Sequence, residues 1–148
     1  MQPQIKVRVR LVIIQDGKIL LSHTKGENFY FYIGGKMDFG ETIPETCIRE
    51  IVEECAGSQF TFKKILYIRE FILGPDHSIE FFVLGDIKAS KDLHNHVDPE
   101  FKGDHTEQWI PLTKLPNITI YPQTLTPVLL SDYAKGFTDG IKYLGPIK

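Results

Sequence analysis

The sequence predicts an α/β sandwich built on a mixed β-sheet. Residues 5–13 alternate between apolar and basic side chains, a period of two that is typical of a half-buried strand. Two runs rich in Ile, Phe and Tyr, residues 60–73 and 78–87, flank Gly74-Pro75-Asp76 and predict a long hairpin. A helical pattern at residues 42–57 interrupts these strands in the middle of the chain. Because strands outnumber helices, helices packed on a mixed sheet are the simplest architecture.

The segment between the first strand and the helix is predicted to contain two more strands. Asp16-Gly17 is a hairpin signal that leads into a second strand at residues 18–22. The aromatic run at residues 29–33 predicts a third strand, which we expect Gly34-Gly35 to end.

The last third of the chain begins with a polar excursion. Residues 88–106 lack periodicity and are predicted to run over the surface. A strand is predicted around residues 108–111, followed by a turn-rich stretch and a final helix at residues 125–135. Pro127 fits the first turn of that helix, and Gly136 fits its C-terminal end.

Length and charge limit the classes of protein. The 148 residues, 42% of them hydrophobic, fit a single domain spanning 1–148 with its own core. The formal net charge is −2, so no overall basic field indicates a nucleic-acid partner. Residues 1–10 contain no apolar signal core, and no apolar run reaches the length needed to span a membrane. We therefore expect a cytoplasmic protein without a membrane partner.

The two cysteines, Cys47 and Cys55, lie eight residues apart in the predicted helix. That spacing separates them by roughly 12 Å along the axis, whereas a disulfide needs Cα atoms within about 7 Å. We expect them to be free, buried and apolar in role, which agrees with a reducing cytoplasm. Neither has a histidine nearby in the sequence, so no thiol nucleophile is expected.

The mid-chain helix is specified by residues at both of its ends. Thr42 and Glu45 form the Thr-x-x-Glu pattern of a capping box, and Pro44 suits a first helical turn. Gly57 is the expected C-terminal stop. Start and stop are therefore both predicted from local signals.

This helix is predicted to have one apolar side and one acidic side. The apolar side, expected to face the core, comprises Ile48, Ile51, Val52 and Cys55. The opposite side carries Glu50, Glu53 and Glu54. Like charges three and four residues apart repel, and a bound cation would relieve the repulsion. Mg²⁺ takes oxygen ligands from carboxylates and from substrate phosphates, so this side is either a magnesium site or an acidic face in water.

The residues around the acidic side follow a longer pattern. Gly35, Glu41 and the run Arg49–Glu54 have the spacing G-x5-E-x7-R-E-U-x-E-E, in which U is aliphatic. This pattern resembles the Nudix box, and its specified positions would coincide by chance on the order of once in a million chains of this length. The order of predicted elements also resembles that family and implies a Nudix-type α/β/α sandwich. The family's box usually has glycine where Ala56 stands, with Gly57 one place later, so we expect the turn after the helix to shift by one residue.

The resemblance implies roles for the residues of the box. Glu50 and Glu54 are expected to be the principal metal ligands, with Glu53 as a further ligand or as the group that orients water. The carbonyl of Gly34 is expected to be a backbone ligand.

The resemblance also implies a structural pair. Arg49 and Glu41 are expected to brace the loop against the helix, and Gly35 is a structural position of the box. Arg49 is counted among the candidate catalytic residues as well.

Glu107, just before Trp109, is the candidate from outside the box. Many relatives that resemble this chain supply an extra acid at such a place, so Glu107 is either a ligand or base, or a surface residue at a strand edge. A carboxylate that is not saturated by metal can act as general base. The choice of base stays open among Glu50, Glu53 and Glu107.

Two further groups of side chains have weaker signals. The polar excursion contains His94, His96 and His105, which form either a transition-metal site or, more simply, part of a solvated loop. In the run from Phe29 to Tyr32 alternate residues face opposite ways, so two are expected in the core and two are open to contact with a base of the substrate.

The resemblance implies a hydrolase that requires Mg²⁺, with Mn²⁺ as a substitute, and cleaves a diphosphate linkage by attack of water at phosphorus. Its substrate is expected to be a nucleoside triphosphate or a compound linked to a nucleoside diphosphate. Two other interpretations stay open, a nucleotide-sensing module without catalysis and an isomerase of isoprenoid diphosphates. Residues outside the box choose the substrate, and a homodimer is compatible with the sequence.

Overall fold

The computed structural model describes residues 2–93 and 104–148. This part of the chain forms ten strands, two α-helices and one 3₁₀ helix, Leu112–Asn117. In chain order the strands and α-helices are β1 (Lys6–Val12), β2 (Ile14–Gln15), β3 (Lys18–Thr24), β4 (Phe29–Phe31), β5 (Ile33–Lys36), α1 (Ile43–Glu54), β6 (Gln59–Leu73), β7 (Asp76–Lys88), β8 (His105–Pro111), β9 (Thr119–Tyr121), α2 (Leu125–Ala134) and β10 (Lys142–Gly145).

The strands form two sheets, and both of them are mixed. The first sheet has the order β10-β6-β7-β1-β5, in which β1 is parallel to β7 and antiparallel to β5. The second has the order β2-β3-β4-β9, and β8 pairs with β3 in addition. In the second sheet β9 runs parallel to β4, whereas β3 is antiparallel to β4. The predicted α/β architecture with a mixed sheet is confirmed.

Two apolar clusters hold the helices on the sheets. In the first cluster Ile51 of α1 packs with Val9 of β1. In the second cluster Leu129 of α2 packs among side chains from both sheets. Leu20 belongs to the first cluster and Leu21 to the second, because successive side chains of a strand point to opposite faces. The strand β3 therefore lies between the two clusters.

The long hairpin predicted from the sequence is confirmed. β6 and β7 are antiparallel partners from Gln59 and Lys88 down to Leu73 and Asp76. Their register places Arg69 of β6 directly opposite Glu80 of β7. Residues that are far apart in the sequence thus become neighbours on one face of the first sheet.

The prediction that Gly34 and Gly35 end the third strand is wrong, because both residues lie inside β5. They pair with Arg10 and Val9 of β1. A Cβ at Gly34 would collide with the carbonyl oxygen of Val9, so the two strands can approach so closely only because that Cβ is absent. The break in the aromatic run falls instead at Tyr32, where the chain passes from the second sheet to the first.

The later part of the chain contains two short strands that were not predicted from the sequence. The strands β9 and β10 have three and four residues, and their partners β4 and β6 are distant in sequence, so no local pattern marks them. The strand predicted around residues 108–111 begins earlier, at His105. His94 and His96 lie outside the described residues.

α2 confirms the predicted last helix. Pro127 lies in its first turn, and Gly136 follows its end with a φ of 74°. The Gly136 N–H donates to the carbonyl of Tyr133 at 2.9 Å, which closes the last turn. No helix within residues 2–93 and 104–148 combines the length and the apolarity needed to cross a bilayer.

The two ends of α1 are formed by local hydrogen bonds. The Glu45 N–H donates to Oγ1 of Thr42 at 3.2 Å, and the Thr42 N–H donates to Oε1 of Glu45 at 3.0 Å, so the predicted capping box is confirmed. At the other end the Gly57 N–H donates to the carbonyl of Val52 at 3.0 Å, the bond of a Schellman motif. Ala56 has a φ of 53°. The expected one-residue shift is wrong, because Ala56 itself adopts the left-handed conformation that glycine would adopt there.

Candidate active site

Two glutamates of α1 lie on its buried side. Glu50 and Glu54 are 7% and 8% exposed, whereas Ile48 and Val52 are 46% and 49% exposed. The predicted apolar side is confirmed for Ile51 and Cys55, which are fully buried, and is wrong for Ile48 and Val52. The buried stripe contains Cys47, Glu50, Ile51 and Glu54. Both stripes have the spacing i, i+3, i+4, i+7, so periodicity alone cannot choose between them. The packing of α1 against β5 decides which stripe is buried, because Gly34 and Gly35 of β5 have no side chains and leave room for two carboxylates.

The glycines of β5 form the backbone surface against which these carboxylates rest. A Cβ added to Gly35 would lie 2.6 Å from Cδ of Glu50, far inside the contact distance of two carbon atoms. The Gly34 N–H donates a hydrogen bond of 3.1 Å to Oε2 of Glu54. A side chain at position 35 would therefore displace the carboxylate of Glu50, while the ligand role of the Gly34 carbonyl stays a prediction.

Arg49 connects the helix with the loop that precedes it. Its Nε and Nη2 donate to the two carboxylate oxygens of Glu41 at 2.7 and 2.9 Å. Its Nη2 also donates to the carbonyl of Lys36 at 2.9 Å, and its Nη1 donates to Oε1 of Glu50 at 3.0 Å. Glu53 is the outermost acid of this group, with a side chain 52% exposed and Oε2 3.5 Å from Nη1 of Arg49. One guanidinium thus holds loop, strand end and acidic helix face together.

The ionisation of Glu41 follows from this arrangement. The hydrogen bonds from Arg49, followed by the one from the Asp38 N–H, lower the pKa of Glu41 to about 2. The same bonds raise the pKa of Arg49 further above its usual range. Both groups are therefore charged at neutral pH.

Glu107 comes to this region from β8. The residue is 7% exposed and its side chain is fully buried, so the interpretation as a surface residue at a strand edge is wrong. The His105 side chain, two positions earlier on the same face of β8, is fully buried too, and its Nε2 lies 3.7 Å from Oε1 of Glu107. The ring of Phe31 packs edge-on against His105 with 5.1 Å between the centroids. His105 is therefore part of the inward face of a strand and not of a solvated loop.

Burial and negative charge raise the pKa values of both cysteine thiols. Burial raises the pKa of Cys55, and the negative charges of Glu107 and Glu54 raise it further. Burial likewise raises the pKa of Cys47 to about 12, with a contribution from the carboxylate of Glu50. Both cysteines are free and buried, as predicted. A thiol that stays protonated at neutral pH is a poor nucleophile, so neither cysteine is suited to a thiol mechanism.

The chemistry of the donors fits a hard divalent cation. Four carboxylates lie on or around α1: Glu50, Glu53, Glu54 and Glu107. All of them offer oxygen, and Mg²⁺ is usually held by a few carboxylates together with the phosphates of a substrate. In the described part of the chain no three acidic, histidine or cysteine side chains already converge as a closed metal site.

A second polar site lies on the other face of the first sheet. Arg8 and Arg10 alternate with the core residues of β1, so they point away from α1 and line a cavity of about 600 Å³. Arg69 and Glu80 line the same cavity from the long hairpin. Sequence reasoning missed this site. The available signal in the sequence was the basic face of the first strand, on which Arg8 and Arg10 alternate with apolar residues.

The aromatic run is divided between core and cavity. Tyr30 packs against the second apolar cluster, and Tyr32 belongs to it and is 1% exposed, which confirms two positions on the core side, although Tyr32 also lines the cavity. Phe31 lines the cavity, and Phe29 contacts the ring of Tyr121 with 5.2 Å between centroids.

Comparison with known proteins agrees with this site. The sequence model of the NUDIX domain matches residues 5–129. Two relatives, both named oxidized purine nucleoside triphosphate hydrolase, come from Mus musculus and Danio rerio. The mouse protein is 28% identical over 116 residues, 76% of this chain and 70% of the relative, and the zebrafish protein is 25% identical over 143 residues, 95% and 88%. A solved NUDIX hydrolase from Nitrosomonas europaea superposes with a TM-score of 0.67 at 22% identity and covers 90% of each chain. The chain belongs to the Nudix family, and the enzyme it forms is a Nudix pyrophosphohydrolase.

Proposed function

We propose that this protein is a single-domain hydrolase, residues 1–148, that depends on a divalent cation and cleaves a diphosphate linkage by attack of water at phosphorus. Its substrates are nucleoside triphosphates or compounds linked to a nucleoside diphosphate. The observation that carries the proposal is the pair of buried carboxylates, Glu50 and Glu54, held against the glycine backbone of β5. The names of the mouse and zebrafish relatives support a nucleotide as substrate.

In this proposal Glu50, Glu54 and Glu53, with the carbonyl of Gly34, would hold Mg²⁺ or Mn²⁺. Bound there, the cation supplies charge neutralisation to the diphosphate oxygens and lowers the pKa of the attacking water. The chain itself positions the carboxylates that would hold the cation. Nη1 of Arg49 holds Oε1 of Glu50 at 3.0 Å, and the Gly34 N–H holds Oε2 of Glu54 at 3.1 Å. Groups that orient ligands in this way support affinity and activity.

The proton of the attacking water would pass to Glu53, Glu50 or Glu107. Glu107 is suited to this role because its fully buried side chain lies beside His105, where bulk water does not compete. Glu53 is suited because it is the most exposed acid, and Arg49 holds it only at 3.5 Å. Arg49, a candidate catalytic residue in the sequence, acts in this scheme as a positioning residue.

The test is the release of phosphate or mononucleotide from a panel of nucleoside triphosphates, ADP-ribose, NADH, sugar nucleotides and dinucleoside polyphosphates. Wild type and Glu54→Gln are compared with Mg²⁺ or Mn²⁺ present. We expect turnover by the wild type and a loss of about a hundredfold or more in the variant, because a charged ligand is lost. Equal turnover by the two proteins would contradict the assignment of the site.

The matched control is Glu45→Gln. It makes the same change of charge in the same helix, but glutamine still closes a capping box, so the helix and the turnover should be retained. Metal and nucleotide binding by the wild type with no turnover across the panel would indicate a nucleotide-sensing module instead.

A further inference from the structure

Arg10 and Arg69 share one carboxylate in the cavity on the first sheet. Nε of Arg10 lies 3.0 Å from Oε2 of Glu80, and Nε of Arg69 lies 3.0 Å from its Oε1. The side chains of Arg69 and Glu80 are only 8% and 4% exposed. We call these three residues the arginine cluster. Two cations that share one anion leave an excess of one positive charge in a largely buried place, where an uncompensated charge is costly.

The two arginines of the cluster present hydrogen-bond donors to the cavity. Each guanidinium has five N–H donors and cannot accept. Glu80 approaches Nε of each arginine at 3.0 Å. Nη1 of Arg10 lies 3.5 Å from the carbonyl of Tyr32, and Cζ of Arg69 lies 5.0 Å from the centre of the Phe71 ring. Both side chains are thus fixed, and both line the cavity, so the cavity has a wall rich in donors.

Aromatic rings form another part of the wall. The rings that line the cavity belong to Phe31, Tyr32, Phe71, Phe82 and Tyr121. The volume of about 600 Å³ suits a small-molecule site. Aromatic rings stack on planar bases, whereas a second phosphate would gain nothing from them. The ligand that fits this cavity is therefore a flat ring that carries oxygen acceptors.

Backbone and ring contacts link the cavity to the acidic site, by which we mean Glu50, Glu53, Glu54 and Glu107. Arg10 is the partner of Gly34 in the ladder between β1 and β5, and the Gly34 N–H donates to Glu54. At another wall Phe31 contacts His105 of β8. A nucleotide with its phosphates at the glutamates can therefore place its base between these rings.

We propose that the arginine cluster selects nucleotides whose base carries a carbonyl at purine C6 or pyrimidine C4, as in guanine, hypoxanthine or uracil, over adenine and cytosine nucleotides, which carry an amino group there. The inference rests on the proposed hydrolase function. An arginine N–H donates to a keto oxygen, but an amino group at the same place is itself a donor. At such a donor wall the amino group of adenine or cytosine leaves donors facing donors, so selection works by rejection as well as by attraction.

The test compares kcat/KM for two matched pairs, GTP with ATP and UTP with CTP, in the presence of Mg²⁺. The wild type should prefer the keto base in each pair by about tenfold or more. Arg69→Met removes the donors while it keeps much of the side-chain length, and it should bring both ratios close to one. Arg10→Met is the second variant, because the Arg10 side chain is 24% exposed and its loss disturbs the core less.

The matched control is Arg8→Met. Arg8 lines the same cavity from the same strand, but its Nε lies 3.3 Å from Oγ of Ser78 and not at Glu80. Removing this charge should weaken all four nucleotides alike and leave the keto preference in place. An equal collapse of the preference in Arg8→Met would mean that net charge and not the cluster decides, which overturns the inference.

Binding of the same four nucleotides to Glu54→Gln, measured by calorimetry with Mg²⁺, separates this inference from the proposed function. Turnover by the wild type without a keto preference overturns the inference and leaves the hydrolase in place. No turnover overturns the hydrolase, and a keto preference in binding still supports the cluster. Equal affinities for the four nucleotides, or no binding, overturn the inference.

Discussion

The two polar sites on the first sheet have opposite compositions. In the acidic site one arginine, Arg49, contacts three glutamates, whereas in the arginine cluster one glutamate, Glu80, contacts two arginines. Each site therefore carries an excess of one sign, which is costly in a partly buried region. We expect a divalent cation to balance the first excess and the acceptor oxygens of a base to accept hydrogen bonds from the second site. One nucleotide bound with its metal ion would satisfy both.

The two sites also differ in how the chain builds them. Gly34, Gly35, Glu41 and the glutamates of α1 fall within 21 residues of one another, and only Glu107 comes from elsewhere. Arg10 and Glu80, by contrast, are 70 residues apart. A site assembled along one helix can therefore be recognised in a sequence, whereas a site assembled across neighbouring strands needs their register.

The strongest test of the opposite charges is Glu80→Gln. The change leaves Arg10 and Arg69 together without their carboxylate, and breaking a buried pair costs about 3–5 kcal/mol. Because Arg10 is partly exposed, we expect a loss of about 3 kcal/mol in the free energy of unfolding, measured in urea. Inorganic phosphate should stabilise the variant more than the wild type, since it restores the missing negative charge.

Asp86→Asn is the matched control for this variant. It removes a carboxylate from the same strand, β7, but the pair of Asp86 with Lys63 is on the surface, with side chains 49% and 51% exposed. Its loss should cost less than about 1 kcal/mol. Equal losses in the two variants would contradict the view of the arginine cluster as a buried site with excess charge.

The corresponding change in the acidic site is Arg49→Met. Glu50 loses its 3.0 Å hydrogen bond and Glu41 loses its partner, so we expect kcat/KM to fall by about 10–100-fold. Raising the Mg²⁺ concentration should restore part of the lost thermal stability, because a cation replaces the missing charge. Lys36→Met serves as the control, since it removes a nearby cation but keeps the backbone carbonyl that Arg49 contacts. A rate equal to that of the wild type would rule out a positioning role for Arg49.

The pH dependence of stability gives a second measurement on Arg49→Met. In the folded wild type the pKa of Glu41 is held at about 2, below its ordinary 4.5, so the folded state binds fewer protons than the unfolded state. The resulting stability is present above pH 4.5 and is lost as the pH falls towards 2. The melting temperature of the wild type should therefore fall more steeply than that of Arg49→Met in this window. Parallel curves would show that Glu41 does not depend on Arg49.

The smallest predicted effect concerns the end of the helix that carries the acids. Ala56 has a φ of 53°, a conformation that costs an alanine roughly 1–2 kcal/mol relative to the right-handed region. Ala56→Gly should therefore stabilise the protein by about 1 kcal/mol in urea unfolding, with turnover unchanged. Ala134→Gly, at the last residue of α2, should have the opposite sign, because glycine in a helix costs up to about 1 kcal/mol. A loss of stability in both variants would mean that the turn at Ala56 is not strained.

The elements that could be predicted from the amino-acid sequence alone are those whose interactions are local. The capping box of Thr42 and Glu45 and the pattern from Gly35 to Glu54 involve residues close together in the chain, so their spacing is enough to recognise them. The long hairpin was recognised for the same reason, because its turn lies between two continuous runs of strand-forming residues. Identification of the family depended on this local spacing.

Tertiary packing, by contrast, decides which side of α1 is buried and what lies on the other face of the sheet. Periodicity allowed the stripe of Ile48 and Val52 as well as the stripe of Glu50 and Glu54, and the missing side chain of Gly35 selected the second. The arginine cluster likewise depends on the register of β1, β6 and β7. Helix ends depend on hydrogen bonds between near neighbours in the chain, whereas the burial of a charge depends on which distant backbone lies opposite and whether it leaves room.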